Sequence, residues 1–432
     1  MTSEKRKINK KEKERDMGIV VQKFGGTSVA DSQKIKNVAN AVIKEYKNGN
    51  QVVVVVSAMG HTTDYLVKLA GEISQKPDNR EMDMLLSTGE QVTIALLTMA
   101  IQEAGFPAIS LIASQVGILT ESVHSKARII DIKTDKLEEN LNKGKIVVVA
   151  GFQGVTLEGE ITTLGRGGSD TSAVAIAAAL KADRCDIYTD VRAVYSADPR
   201  CVPKASRLDR ISYIEMLELA RVGANVLHPR SVETANQFNV PMRVRSSFYL
   251  DDPGTLILGV EEMEIYRAVS GVAADDSQVR IALLKVPDQP GIAAKVFGVL
   301  SKNNISVDMI IQSLEEDNAN NIAFTVDEAD LSKALVVLQD IKQILKAKEI
   351  VVDNNISKIS IVGAGMIDRP GIAADMFEAL ADENINIKMI ATSEIKISCL
   401  VDKERANDAI KALHTKFELD DENIDLDKVQ AS

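Results

Sequence analysis

Cysteine and histidine are scarce: the 432 residues hold three of the first and four of the second. Cys185, Cys201 and Cys399 are odd in number and far apart, which excludes a disulfide framework and a zinc ligand set and fits a reducing cytoplasm. The histidines form no ligand-spaced cluster. Positive charge also runs short, 51 Lys and Arg against 62 Asp and Glu, for a net charge of −11. That balance sets nucleic acid aside as the main partner but leaves room for nucleotides, which need only a local positive site. No apolar run approaches the ~18 residues of a membrane span, so no membrane partner is expected. The phosphate-loop pattern GxxxxGK[ST] is missing too.

A chain of 432 residues, 45% hydrophobic and 26% charged, is expected to fold as two or three globular domains. Residues 1–16 stand apart, with seven Lys/Arg and four Asp/Glu and Ile8 as the only large apolar side chain. They read as a disordered charged tail without the apolar region of a signal peptide.

Lys23-Phe24-Gly25-Gly26-Thr27-Ser28 lies between an apolar run, Ile19–Val21, and a helical pattern with Ile35, Val38, Ala39, Val42 and Ile43 on one face. Adjacent glycines let backbone N–H groups approach an anion, Thr27 and Ser28 add hydroxyls at the helix start, and Lys23 supplies a full charge. A tight turn with a surface lysine fits the same letters. A second glycine turn, Leu164–Ser172, opens onto the small-residue helix Ala173–Leu180. Gln51–Ala58 and Lys145–Gly151 read as strands buried on both faces, and a long helical region is expected from about Glu81 to Ala104. Strands alternating with helices to about residue 260 argue an α/β domain with a mainly parallel sheet.

Beyond Pro253-Gly254 an internal repeat appears: Asp288–Ser313 aligns without gaps on Asp368–Ser393, identical at thirteen of twenty-six positions. Each copy is flanked by strand-like stretches and reads β-α-β-β-α-β, a ferredoxin-like unit. Two such units are expected to pair, since each has a sheet face and open edges to cover.

Lys23–Val29 (KFGGTSV), Ser57–Gly60, Ser87–Glu90, Thr163–Ser172, Tyr188–Arg200 and Leu227–Arg230 together resemble aspartate kinase, and the repeat resembles a tandem pair of ACT domains. The likeness covers roughly residues 18 to 420 and is nearest in layout to monofunctional, lysine/threonine-regulated bacterial enzymes. It implies a fold and a division: an amino-acid-kinase three-layer α/β sandwich at 17–262, then ACT domains at 263–354 and 355–432. The implied reaction is ATP-dependent phosphorylation of the L-aspartate β-carboxylate, the first step toward lysine, threonine and methionine. A carboxylate is ionised at neutral pH, so it needs no general base; the task is to neutralise phosphate charge and hold two anions in line.

By this resemblance Lys23, Asp170 and Arg166 are catalytic. Lys23, Gly25, Gly26, Thr27, Gly167, Gly168, Thr189, Asp190, Tyr195, Ser196, Asp198, Pro199 and Arg200 take ATP. Ser28, Thr63, Glu90, Arg166, Ser169 and Asp170 take L-aspartate. Asp170 has a second reading as a helix cap, Glu90 as an exposed helix residue or a partner for an internal lysine, Arg166 as a loop surface residue and Tyr195 as a core tyrosine. Mg²⁺ accompanies ATP, riding on its phosphates, since no carboxylate cluster suits a metal site. Many family members carry lysine where this chain has Asn225, which puts in doubt a nucleotide-phosphate contact made there elsewhere in the family. His228 reads as a structural turn residue.

Lysine and/or threonine are the implied effectors, contacted in the repeats by Asp288, Gly291, Ile292, Ile305, Val307, Gln312, Ile372, Ala373, Asn386, Ile387, Ser393 and Glu394. Gln312 stands where the second copy has Thr392, so the two pockets need not take the same ligand. A homo-oligomer through the ACT domains is implied, and an internal start near Met263 would give an ACT-only short subunit. Two other readings stay open: a related amino-acid kinase with another acceptor, and a catalytically inactive amino-acid sensor.

Overall fold

The computed structural model describes residues 18–224, 226–259, 267–314, 319–367 and 369–420; the charged tail, Asn225, Met263 and Asp368 lie outside them. The described chain forms two compact units. The first runs to Val194 and adds Arg207–Ala220 and the described part of 225–264; the second takes Tyr195–Ser206, Arg221–Ala224 and the described residues from 267 onward.

The first unit's strands are β1 Ile19–Phe24, β2 Gln51–Val56, β3 Ala108–Leu111, β4 Ile118–Thr120, β5 Ile129–Ile132, β6 Ile146–Ala150, β7 Gln153–Val155, β8 Ile161–Thr163, β9 Arg184–Thr189, β10 Arg210–Ser212, β11 Met242–Ser246 and β12 Thr255–Leu258. Its helices are α1 Ser32–Lys47, α2 Thr62–Ile73, α3 Asn79–Leu86, α4 Thr88–Glu103, α5 Ala113–Val116, α6 Asp135–Asn142, α7 Gly168–Ala179, α8 Tyr213–Arg221 and α9 Pro229–Phe238. One eight-stranded sheet runs β10-β12-β11-β9-β1-β2-β6-β3, parallel except where β11 meets β12. A smaller sheet runs β5-β4-β7-β8.

The expected buried strands are there for the expected reason. Val52 to Val56 are wholly shielded, as a β-branched run with both faces covered must be. On one face α1 and α4 pack over Val52, Val54, Val56 and Phe24. Lys23, one residue out of phase with Phe24, therefore points to the opposite face, where alanine-rich α7 lies close against β1, β2 and β9. Because β1, β2, β6 and β9 are parallel neighbours, the loops after all four leave the same edge of the sheet, where open α/β sheets bind ligands.

One expectation holds and one is corrected. The long helical region from Glu81 is present as α3 and α4, jointed at Ser87, whose N–H donates to Asp83 O at 3.1 Å. The first glycine turn opens not onto an α-helix but onto a 3-10 turn, Gly26–Val29; α1 begins only at Ser32, because Asp31 caps it by accepting the Lys34 N–H at 2.8 Å. By length and composition alone residues 79–103 could cross a bilayer, yet Glu90 and Thr93 within them are buried, as in a core helix.

The second unit contains β13 Gly271–Asp275, β14 Gln278–Pro287, α10 Ile292–Lys302, β15 Ile310–Leu314, β16 Ala319–Asp327, α11 Leu331–Leu345, β17 Glu349–Asp353, β18 Ile356–Val362, α12 Ile372–Asp382, β19 Met389–Thr392, β20 Lys396–Asp402 and α13 Ala406–Lys416. The first repeat has the expected β-α-β-β-α-β order and a sheet β15-β16-β14-β17. The second departs from it. Its sheet is β13-β18-β20-β19, so the edge that β17 fills in the first repeat is filled here by a strand from upstream of both repeats. Between the repeats Met309, Ile356, Met389 and Leu400 share a small core, flanked by Lys358–Asp308 (2.5 Å) and Lys388–Asp353 (2.9 Å).

Candidate active site

Lys23 Nζ lies 2.6 Å from Asp170 Oδ1, so the last residues of β1 and the first turn of α7 meet in one ion pair. Asp170 is not a helix cap: α7 is capped by Gly167, without a side-chain bond. Gly25 sits beside Lys23, whose Nζ would be 3.4 Å from a Cβ there. Gly26 is fixed by backbone. A Cβ would fall 2.8 Å from Ala58 O and 3.0 Å from Gly60 O, and the Gly60 N–H donates to Gly26 O at 3.0 Å. Thr27 is exposed, whereas Ser28 is buried with no partner for its hydroxyl.

The second turn is built from left-handed Gly165 (φ 76°) and Gly167 (φ 68°) and closed by the Gly168 N–H donating to Gly165 O. Gly168 packs against Phe152 and Leu164, and Ser169 accepts from the Ser57 hydroxyl at 3.0 Å. The helix N-terminus that follows is a ready site for phosphate or carboxylate. Arg166 is exposed and has no ion-pair partner among the described residues.

Glu90, in the first turn of α4, is only 2% exposed. Its Oε1 accepts the Ala58 N–H at 3.1 Å, while Oε2 has no partner. Burial pushes its carboxyl up to about 7, against the opposing pull of the N–H groups it accepts. It is not the exposed helix residue of the alternative reading. A buried, half-bonded acid suits an ammonium group. Thr63 lies half-buried in the first turn of α2.

The residues expected at the nucleotide end divide. Thr189 and Asp190 end β9 in the first unit, the Thr189 hydroxyl donating to Asp190 at 2.9 Å. Tyr195, Ser196, Asp198, Pro199 and Arg200 belong to the second unit. Ser196 is a correction: its hydroxyl is buried, 2.9 Å from His414 Nε2 and donating to Leu419 O at 3.2 Å, and it accepts the Ser206 N–H. It is spent on internal structure. Arg200 binds Asp198 through its guanidinium and its backbone, which holds that carboxyl below its usual range. Tyr195 packs against the second repeat's core.

Of the effector residues, Gly291 (φ 92°) and Gly371 (φ 104°) each cap the helix of their repeat in the left-handed region, with open space around them. Ile292 and Ile305 are buried, Val307, Ile372, Ala373 and Ile387 half-buried, and Gln312, Asn386, Ser393 and Glu394 exposed. Asp288 accepts from Asn320 Nδ2 at 2.8 Å.

Sequence reasoning missed a group of supporting residues. Asp83, fully buried, accepts from Thr163 Oγ1 (2.6 Å) and the Ser125 N–H and pairs with His124 Nδ1 (2.8 Å). Gln153 donates to Ser87 O. Arg230 donates to Leu164 O and Ala127 O, both at 2.9 Å. The available signal was a charged residue on the apolar side of a helix pattern, as at Asp83. Among the described residues no group of three His, Cys, Asp or Glu could hold a metal ion.

Comparison with known proteins gives three family matches: amino acid kinase family over residues 18–246, and ACT domain over 280–346 and again over 359–417. The chain is 53% identical over 403 residues to an aspartokinase of Bacillus sp. (strain MGA3), covering 93% of this chain and 98% of that one. It is similar to E. coli aspartokinase III in complex with aspartate and ADP (R-state), with 28% identity and a TM-score of 0.79 over 93% of this chain and 100% of that one. For the same E. coli enzyme in complex with lysine and aspartate (T-state) the identity is 29% and the TM-score 0.73, over 92% and 99%.

Proposed function

The chain belongs to the amino acid kinase family, among the aspartokinases, and from that premise we propose that it transfers the γ-phosphoryl group of ATP to the β-carboxylate of L-aspartate. A carboxylate oxygen forms the new P–O bond, the bond from the γ-phosphorus to the β,γ-bridging oxygen breaks, and ADP leaves with that electron pair. The products are ADP and 4-phospho-L-aspartate. The observation that carries this reading is the Lys23–Asp170 pair, set between two glycine turns at one edge of the sheet.

Lys23 neutralises charge on the transferred phosphoryl group and Asp170 orients it. The amides of Gly25, Gly26, Gly167 and Gly168 surround the phosphates, and Thr189 with Asp190 lies toward the nucleoside. Arg166, unpaired, takes the aspartate α-carboxylate in a two-pronged contact. Glu90 takes the α-ammonium group, Ser28 supplies its unsatisfied hydroxyl, and Thr63 and Ser169 complete the contacts. Mg²⁺ would be held by the nucleotide phosphates, supplying further charge neutralisation. The cytoplasm is the compartment that fits free thiols and this chemistry.

The second unit is the regulatory half of the proposal. Lysine, threonine or both bind at the Pro290-Gly291 and Pro370-Gly371 loops of the ACT domains, which also pair chains into a homo-oligomer. The resemblance to the lysine complex of the E. coli enzyme supports this. Coupling of ~1–3 kcal/mol is the expected scale. The test is hydroxylamine-trapped acyl phosphate with aspartate against glutamate, each with and without lysine and threonine. Aspartate-dependent product that falls with effectors is expected. Product that ignores them removes the regulatory half; no product removes the kinase.

A further inference from the structure

His228-Pro229-Arg230 has so far been given no part in the reaction, yet it grips the second glycine turn at separate points. The His228 ring lies directly on Gly167: a Cβ there would fall 2.1 Å from His228 Cγ and 2.3 Å from its Cβ. Arg230 spends one arm of its guanidinium on Leu164 O, at the start of the turn, and the other on Ala127 O, in the segment facing it. His228 also caps α9, its Nδ1 accepting the Arg230 N–H at 3.3 Å. Burial and the Arg230 charge hold the imidazole below its usual pKa, against the pull of Asp170, which favours the neutral ring. Capping alone accounts for the first bond of the helix. It does not account for a ring seated on a left-handed glycine, or for both arms of an arginine given to loop carbonyls.

We propose that His228 and Arg230 are positioning residues for phosphoryl transfer, holding the 164–168 turn in the shape that aims its amides at the phosphates and brings Asp170 to Lys23. This deepens the kinase reading and rests on it. The two residues act through Gly167 and Leu164. A turn displaced by about 1 Å misaligns both the amides and the Lys23 pair, and a misplacement of that size costs on the order of a hundredfold in rate.

The test uses the full chain and the trapped acyl phosphate, with kcat and KM for aspartate measured separately alongside thermal unfolding. His228→Gly keeps an acceptable helix cap while removing the ring. Arg230→Ala removes the two-armed hold, and free guanidinium ion is titrated back into it. The third arm is Gly167→Ala, alone and combined with His228→Gly. Kcat is expected to fall about tenfold to a hundredfold in both clasp variants, with KM for aspartate changed less than about threefold. Guanidinium restores part of the Arg230→Ala loss, and the double variant is no worse than Gly167→Ala alone, because the ring that the new methyl meets is gone. The proposal is overturned if wild type is active and both clasp variants keep its kcat, or if guanidinium rescues nothing and the Gly167 and His228 losses multiply. An inactive wild type overturns the kinase reading itself, which sets that failure apart.

Discussion

The two glycine turns look alike as sequence and are built on different principles. The first is braced by main chain: Ala58 O and Gly60 O press on Gly26, and its helix starts a full turn late, behind Asp31. The second is braced by side chains from distant segments: Asp83 on Thr163, Arg230 on Leu164, His228 on Gly167. Only the second stands on an α-helix N-terminus, and only the first has a lysine within its strand. A main-chain brace tolerates sequence change around it. A side-chain brace can be tuned or released one residue at a time.

The largest expected effect is on the charge the first turn carries. Lys23→Ala should lower kcat by about 10²–10³-fold with the fold intact, measured by acyl phosphate formation and far-UV circular dichroism. Next is the brace of the second turn. Asp83→Ala strands the partners of a buried carboxylate and should cost about 3 kcal/mol of stability in urea unfolding, with activity lost alongside. Asp83→Asn should recover part of both. A paired change then tests the main-chain brace of the first turn. Gly26→Ala must push backbone carbonyls aside and should inactivate; Gly25→Ala, at φ −74° and meeting only Lys23 Nζ at an ordinary contact distance of 3.4 Å, should fold normally and lose less than about tenfold. Equal losses from the two would remove the main-chain account.

The smallest effect is one of pH. Glu90 is fastened to the loop that braces the first turn, through the Ala58 N–H. Its pKa of about 7 means that in the free protein near neutral pH about half the molecules carry a proton there. An ammonium ligand favours the ionised form. Affinity for aspartate should therefore rise as pH climbs from 6 to 8 and level off above that, seen as a falling KM. Glu90→Gln should raise KM and flatten its dependence in that window; a slope unchanged in the variant assigns the titration to another group.

Much of this was legible in the sequence because it is local. A β-branched run, a glycine pair and an alanine-rich helix mean the same thing wherever they stand, and the repeat aligned itself. What could not be read was non-local. Nothing in Arg230 announces that its partners are Leu164 and Ala127, and Ser196 carries the same letter whether it faces a nucleotide or, as found, His414. The late start of α1 was readable in principle: Asp31 is a good cap, but Thr27 and Ser28 are plausible caps too, and tertiary packing of Gly26 decided between them. The placing of β13 at the second repeat's edge had no local signal, since Gly271–Asp275 would pair as well with any open edge that accepted it.

That borrowed edge strand has a consequence for the birth of the protein. Gly271 pairs with Val362, so β13 leaves the ribosome before the entire first repeat and must wait, unpaired, for β18. The first repeat can close on its own while it waits; the second cannot begin to close until β18 has been made. During that interval an open strand is exposed to neighbouring chains on the same message, the circumstance in which edges pair wrongly. The order of folding is thus written into the topology, with the second repeat closing after the first.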